Sequence, residues 1–293
     1  MTSEESKIDL GAYAEGFKMK YTRLLVTAAT QELADIAART ATGYGTSIIS
    51  SPSEAGLENK LPESTPDGRP GRVIQIWHKS KKKLAKELLN RVGQCLLTAP
   101  TTAVFDFAGE SDLKDDTGKK LRFFGDGYQE KDSVAGRTVY RIPVMDGHFV
   151  IEGEFGIKPG VAGGNLIVTG KDQLTTVMDI QKALQELDVA GVVTPFPGGI
   201  CRSGSKLGSK YKFLLASTNH RYCPALRGKV EDTLLTDDEN CVYEIVINGI
   251  TEEAVQRAMQ ALAQELENSG NTIRITAANY GGSLGQFNIP VMK

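Results

Sequence analysis

The feature that most restricts how this chain can fold is an internal repeat. Residues 24–56, LLVTAATQELADIAARTATGYGTSIISSPSEAG, and 166–199, LIVTGKDQLTTVMDIQKALQELDVAGVVTPFPGG, share one layout. Each opens on an apolar run closing at Val-Thr and continues into a helix-like stretch. Each then returns through a second apolar run, a Ser-Pro or Thr-Pro step and a turn ending in Gly. Leu33, Ile36, Ala37 and Ala41 fall on one helical face in the first copy; Met178, Ala183, Leu184 and Leu187 approximate one in the second. The match continues into residues 72–99 and 241–277. Each of these reads as a strand, an amphipathic helix and a further strand ending in Thr-Ala. Leu84, Leu88, Leu89 and Val92 mark the first helix, with Lys81, Lys82, Lys83 and Lys86 as its solvated side. The second starts at Thr251 with Glu252 and Glu253 in its first turn and ends at Ser269-Gly270, carrying Val255, Met259, Leu262 and Leu266.

A β-α-β, β-α-β order stated twice predicts an α+β protein of two ferredoxin-like (split βαβ) lobes made by duplication. The lobes are expected at 1–148 and 149–293, a size that suits ordinary domains. KLRFFGDG, TVYRIPV and HFVIEGEF, within residues 120–160, predict extra β-hairpins at the junction.

The two copies differ at one informative place. Val73-Ile74-Gln75-Ile76-Trp77 aligns with Val242-Tyr243-Glu244-Ile245-Val246. The second strand is apolar on both faces, which predicts a central strand covered on both sides and Glu244 as a buried carboxylate. Two readings follow. A lone buried carboxyl group has a raised pKa and can donate a proton or hydrogen bond near neutrality. The other reading is an ion pair with an Arg or Lys elsewhere in the chain.

Gly supplies 31 of 293 residues, against about 7% in ordinary proteins, and much of it follows strands. The main group runs from Pro195 through Gly198 and Gly199 to Arg202, Ser203, Gly204, Ser205, Lys206 and Gly208. No GK[ST] triplet is present, so this is not a Walker phosphate loop. Exposed amides, hydroxyls and cations there suit close approach to an anionic or amide-bearing ligand; a plain surface connection has the same composition. Smaller groups lie at Gly163-Gly164-Asn165, Asn279-Tyr280-Gly281-Gly282, Gly125-Asp126-Gly127 and Asp67-Gly68-Arg69-Pro70-Gly71.

The formal net charge of -2 excludes a chain-wide nucleic-acid footprint. No run of eighteen apolar residues occurs, so no membrane-spanning helix is expected. The start, MTSEESKIDLGAY, lacks the pattern of a signal peptide, and a cytoplasmic location is expected. Cys95, Cys201, Cys223 and Cys241 form no CxxC pair and read as reduced, buried or half-buried thiols. His78, His148 and His220 show no HxH or HExxH spacing, so no metal site is expected. His220 and Cys223 are the one close pair that could form a base and nucleophile, an arrangement only geometry can establish.

Along nearly its whole length the chain resembles the formylmethanofuran:tetrahydromethanopterin formyltransferase family. The motifs that carry this are STPDGRPG with RVIQIWH (64–78), GQCLLTAPTTAVFD (93–106), FFGDGY (123–128), FGIKPGVAGGN (155–165) and VTPFPGGI (193–200). SGSKLGSKY (203–211), LLASTN (214–219), VYEIVING (242–249) and ITAANYGG (275–282) complete the set. The resemblance implies formyl transfer between the amine of a furan-type C1 carrier (methanofuran or methylofuran) and N5 of tetrahydromethanopterin. Both carriers are then co-substrates, with no metal, no nucleotide and no covalent enzyme intermediate. It implies a homotetramer with its active site near a subunit contact, and Glu244 as the proton-handling group. Membership of these motifs makes Gly198, Gly199, Ser203, Ser205, Lys206, Asn219 and Asn279 the expected substrate contacts. Archaeal members tend to be acidic. The near-neutral charge here leans instead toward bacterial relatives that resemble a subunit of a formyltransferase/hydrolase complex. The alternative is a non-catalytic scaffold subunit on the same fold.

Overall fold

The computed structural model describes residues 6–279 and 281–292. The chain forms two compact units, one of residues 19–160 and one of residues 161–292 with the N-terminal segment up to Lys18. In chain order the first half contains β1 (Tyr13–Thr27), α1 (Gln31–Thr42), β2 (Glu54–Leu57), β3 (Gly71–His78), α2 (Lys81–Arg91) and β4 (Ala103–Asp106). Then come β5 (Leu113–Asp115), α3 (Thr117–Leu121), β6 (Glu130–Val134), β7 (Arg137–Val144) and β8 (Gly147–Glu152). The second half contains β9 (Phe155–Gly170), α4 (Gln173–Glu186), β10 (Val192–Val193), β11 (Ser205–Leu207) and β12 (Ala216–Thr218). It closes with β13 (Cys241–Gly249), α5 (Glu252–Glu267), β14 (Thr272–Ala277) and β15 (Phe287–Pro290). The strand pairing is mostly antiparallel, giving a mixed α+β architecture; β4 with β8 is a parallel pair.

In the unit of residues 19–160 the strands lie in the order β2-β3-β1-β4, prolonged by β8-β7-β6. Leu24, Val26, Ile74 and Ile76 point to one face, where α1 and α2 cover them with Ala37, Ala38, Ala41, Leu84 and Leu88. Leu25, Val73 and Phe105 fill the other face with Val139. Burying such a side chain stabilises the fold by about 1.5–3 kcal/mol. Thr30 caps α1 by accepting from the Leu33 N–H at 3.2 Å, and Ser80 stands at the start of α2.

In the second unit the order is β10-β13-β9-β14, the same spatial order for the corresponding elements. Leu166, Val168, Ile245 and Ile247 face α4 and α5, meeting Ile180, Ala183, Leu184, Val255, Met259 and Leu262. Thr251 accepts from the Ala254 N–H at 3.1 Å, and Glu252 and Glu253 occupy the first turn of α5, as the sequence predicts. A Cβ at Gly249 would stand 2.7 Å from Val255, so α5 packs directly on the backbone of β13.

Several sequence expectations are corrected. The buried face of α1 is Ala34, Ala37, Ala38 and Ala41, while Ile36 is 54% exposed. The helix rests close to the sheet on small side chains, which turns Ile36 outward. On α4, Thr176 and Ile180 take the inward positions assigned to Met178, which is exposed. The stretch GQCLLTA is not a strand: a π turn over Val92–Leu96 continues α2, and the strand follows at β4. Arg91 holds this junction by donating to the carbonyl oxygens of Ala41 and Gly43 at 2.6 and 2.9 Å. The Thr-Ala ends of the two copies are therefore not equivalent in space. Ile48-Ile49 lies in turns, with β2 starting at Glu54. KLRFFGDG is helical, and the hairpins at this point are β6-β7-β8.

Candidate active site

Strand β13 carries two faces. Tyr243, Ile245 and Ile247 turn to the helices, so Val242, Glu244 and Val246 turn away from them. Glu244 pairs with Ile167 of β9, and Val246 with Asn165. Pro197–Gly199 form a tight turn with φ +64° at Gly198 and +80° at Gly199, a backbone region that favours glycine. That turn delivers Cys201 alongside β13, where Cys201 and Glu244 exchange backbone hydrogen bonds, both 2.8 Å. The chain then leaves as the β11-β12 hairpin and returns through residues 219–240.

A cavity of about 510 Å³ lies between this excursion and the outward face of β13. Cys201, Arg202, Ser203, Thr218, Asn219, Tyr222, Cys223 and Glu244 are among its lining residues. The Asn219 N–H donates to the Gly204 carbonyl oxygen at 3.2 Å, which brings both ends of the hairpin to the cavity. The returning loop is fastened by Glu239, which is 1% exposed. Its carboxylate accepts from Arg274 Nε and Nη2 at 2.8 and 3.0 Å, from Thr169 Oγ1 at 2.7 Å and from the Thr236 N–H at 2.8 Å.

Glu244 is half-buried rather than enclosed on both sides, because its face of the strand opens on the cavity. No Arg or Lys pairs with it among the described residues; its hydrogen-bond partners are the side chains of Asn165 and Cys201. Burial pushes its pKa above the usual carboxylate range, and the Asn165 and Cys201 hydrogen bonds oppose this. Gln75, at the corresponding place in the other unit, is fully buried. It donates to Glu58 at 2.7 Å and accepts from Trp77 Nε1 at 3.0 Å. The neutral side chain is sealed in a hydrogen-bonded core; the acidic one faces an open cavity.

Of the expected contacts, Ser203 and Asn219 line the cavity with Glu244. Ser205 and Lys206 lie on β11, which continues from that wall. Gly198 and Gly199 shape the preceding turn; Gly199 packs against Leu184 and Thr194, where a Cβ would stand 2.8 Å from each. Asn279 donates to the Tyr13 carbonyl oxygen at 3.4 Å and does not line the cavity. Its neighbour Tyr280 lies outside the described residues. Sequence reasoning missed Cys201, Arg202, Tyr222 and Asn165 as site residues. For Asn165 a signal existed, since it ends the Gly163-Gly164-Asn165 group on the strand paired with β13. His220 Nε2 lies 3.0 Å from Asp232, and no thiol–imidazole hydrogen bond joins it to Cys223 among the described residues. Among those residues no three of His, Cys, Asp and Glu converge as metal ligands would. Among the described residues no helix is long and apolar enough to cross a membrane.

Fold and site together define a mixed α+β protein with a half-buried carboxyl group of raised pKa facing a cavity. The profile of the formylmethanofuran-tetrahydromethanopterin formyltransferase family matches residues 1–144, and that of the proximal lobe of the same family matches residues 147–293. The chain belongs to this family. It is 52% identical to the formylmethanofuran--tetrahydromethanopterin formyltransferase of Methanothermobacter thermautotrophicus over 280 residues, 94% of each chain. To the enzyme of that name from Methanocaldococcus jannaschii it is 50% identical, covering 94% of this chain and 95% of the other. Its structure is similar to that of the Methanosarcina barkeri formyltransferase, with TM-score 0.93 and 44% identity over 99% of this chain and 98% of the other. It is also similar to a chain of the formyltransferase/hydrolase complex from Methylorubrum extorquens, solved with methylofuran. There the TM-score is 0.86 and identity 38% over 96% of this chain and 94% of the other.

Proposed function

We propose that this chain transfers a formyl group between the amine of a furan-type C1 carrier, methanofuran or methylofuran, and N5 of tetrahydromethanopterin. The attacking amine adds to the formyl carbon, giving a tetrahedral centre with an oxyanion, and the other nitrogen leaves. One nitrogen must lose a proton and the other gain one. A carboxyl group with a raised pKa performs both exchanges. Holding both carriers in one site removes the entropic cost of their encounter. The oxyanion needs donors already in place. Ser203 and Asn219 at the cavity, and the Gly198–Gly199 turn that leads into it, are proposed for substrate contact together with Ser205, Lys206 and Asn279. The observation that carries the reading is Glu244: a carboxyl group with no cation paired to it among the described residues, facing a cavity, in a chain about half identical to named formyltransferases.

The fold is proposed as two ferredoxin-like lobes, 1–148 and 149–293. The shared strand orders β2-β3-β1-β4 and β10-β13-β9-β14 support this, as do profile boundaries at 144 and 147. The assembly is proposed as a homotetramer in the cytoplasm, with partner subunits of a formyltransferase/hydrolase complex as its larger form. The methylofuran-bound bacterial relative, a complex, supports the larger form. Identity does not: it is 44% to the archaeal structure and 38% to the bacterial one. Metal and nucleotide are not part of the proposed chemistry.

Glu244→Gln tests the reading. It keeps size and hydrogen-bonding capacity but removes the exchangeable proton, so turnover should fall at least about 100-fold with an unchanged circular dichroism spectrum. Near-normal transfer by that variant removes Glu244 from the mechanism. A wild-type chain that binds no tetrahydromethanopterin favours the scaffold alternative.

A further inference from the structure

Asn165 lies on β9 opposite Val246, two residues from Ile167, which faces Glu244. Residues two apart on a strand share a face, so Asn165 and Glu244 are diagonal neighbours on the face turned away from the helices. The Asn165 side chain hydrogen-bonds the Glu244 carboxyl group. Its Oδ1 is buried without a hydrogen-bond partner among the described residues, so Nδ2 is the end that meets Glu244. Among the described residues no second group therefore fixes which end of the amide faces the carboxyl group. A primary amide has donors at one end and an acceptor at the other. The nitrogen end suits a carboxylate, and the oxygen end suits a carboxylic acid.

We infer that Asn165 is a positioning residue for Glu244, an ambivalent partner that offers its donor to the carboxylate and turns its acceptor to the carboxylic acid. The proton can then arrive and leave without either form of Glu244 losing this hydrogen bond. Asp in its place would serve only the acid, and Leu neither form. The inference rests on the proposed proton-handling role of Glu244. Cys201 bonds the same carboxyl group, but a thiol is a weak donor and a weak acceptor.

The other titratable or charged groups around Glu244 come from three directions. Cys201 and Arg202 lie on the segment bridged to β13, Tyr222 and Cys223 on the returning loop, and Cys241 and Tyr243 on β13 itself. From β9 and α4 the lining is neutral, through Ile167, Gln173 and Val177.

The test follows the infrared C=O stretch of protonated Glu244 in the full-length protein as pH rises, the band being identified by its loss in Glu244→Gln. In Asn165→Leu both forms lose the bond, and the midpoint should rise by about one pH unit because the charge-assisted bond to the carboxylate is the stronger of the two. In Asn165→Asp it should rise further, because a like charge adjoins Glu244. The pH profile of kcat should move the same way. An unmoved midpoint in both variants, or a fall in kcat with an unmoved profile, overturns the inference. Asn165→Asp is nearly isosteric and carries the test alone if the Leu variant does not fold. The infrared band needs no carrier, so the outcome stands apart from whether formyl transfer is the reaction.

Discussion

The wall of the cavity depends on one ion pair, and its removal has a calculable effect. Arg274→Met deletes both donors to Glu239 and the 2.8 Å hydrogen bond from Arg274 Nη2 to the Leu234 carbonyl oxygen. Breaking a fully buried pair costs about 3–5 kcal/mol, mostly because the remaining charge is left uncompensated. Two facts reduce that here. The Arg274 side chain is 33% exposed, and Glu239 keeps Thr169 Oγ1 and the Thr236 N–H as donors. About 2 kcal/mol is then expected. Against a whole-domain stability of about 5–15 kcal/mol, this leaves the chain folded. It makes opening of the loop about 30-fold more frequent. Hydrogen exchange should report this directly, with protection falling over residues 220–240 and unchanged in α5 and β13. Tyr222 and Cys223 line the cavity on that loop, so KM should rise more than kcat falls. Combining Arg274→Met with Glu239→Gln should cost less than the sum of the single changes, because the second substitution removes the stranded charge. Unchanged exchange over 220–240, or strict additivity, would refute the claim that this pair fastens the loop.

The Glu244 pKa is higher in the folded protein than the ordinary 4.5, so the folded state binds its proton more tightly than the unfolded state does. Its contribution to stability is complete below the ordinary value and is lost as pH rises through the raised one. Glu244→Gln lacks that loss, so its melting temperature should exceed the wild type's by a margin that grows with pH over this interval; a constant margin counts against a raised pKa. Gly160→Ala would place a Cβ 2.7 Å from two ring carbons of the fully buried Trp77 and 2.9 Å from Tyr21. Overpacking of that kind costs about 1–3 kcal/mol, read as a lower urea midpoint at constant m-value; an unchanged midpoint would show that the Trp77 ring has room to shift.

Much of the fold was legible because period and capping are local properties. Thr251 and the α5 face, the strand of Glu244 and the exposed lysines of α2 all follow from spacing alone. The errors share one cause. Ile36, Met178 and the stretch GQCLLTA carry apolar residues, and apolar content alone fixes neither burial nor strand. Where α1 rests on the sheet through Ala34, Ala37, Ala38 and Ala41, close approach of the backbones decides which side faces in. Where Arg91 caps the end of α1, the helix of α2 runs on past the point at which its apolar pattern suggests a strand.

The candidate site divides in the same way. The repeated pattern, strand alternation and the exchange of Gln75 for Glu244 are written in the residues, and they place a carboxyl group on one face of a central strand. Alternation cannot say which face is open, since both are apolar. That was decided by the excursion from Cys201 to Asn240, which folds back over one face of β13 while α4 and α5 close the other. The same long-range return brought Cys201, Arg202 and Tyr222 to the cavity, and strand register set Asn165 beside Glu244. Burial and hydrogen bonding act across space, so residues far apart in the chain determine the state of a proton that the local sequence can only locate.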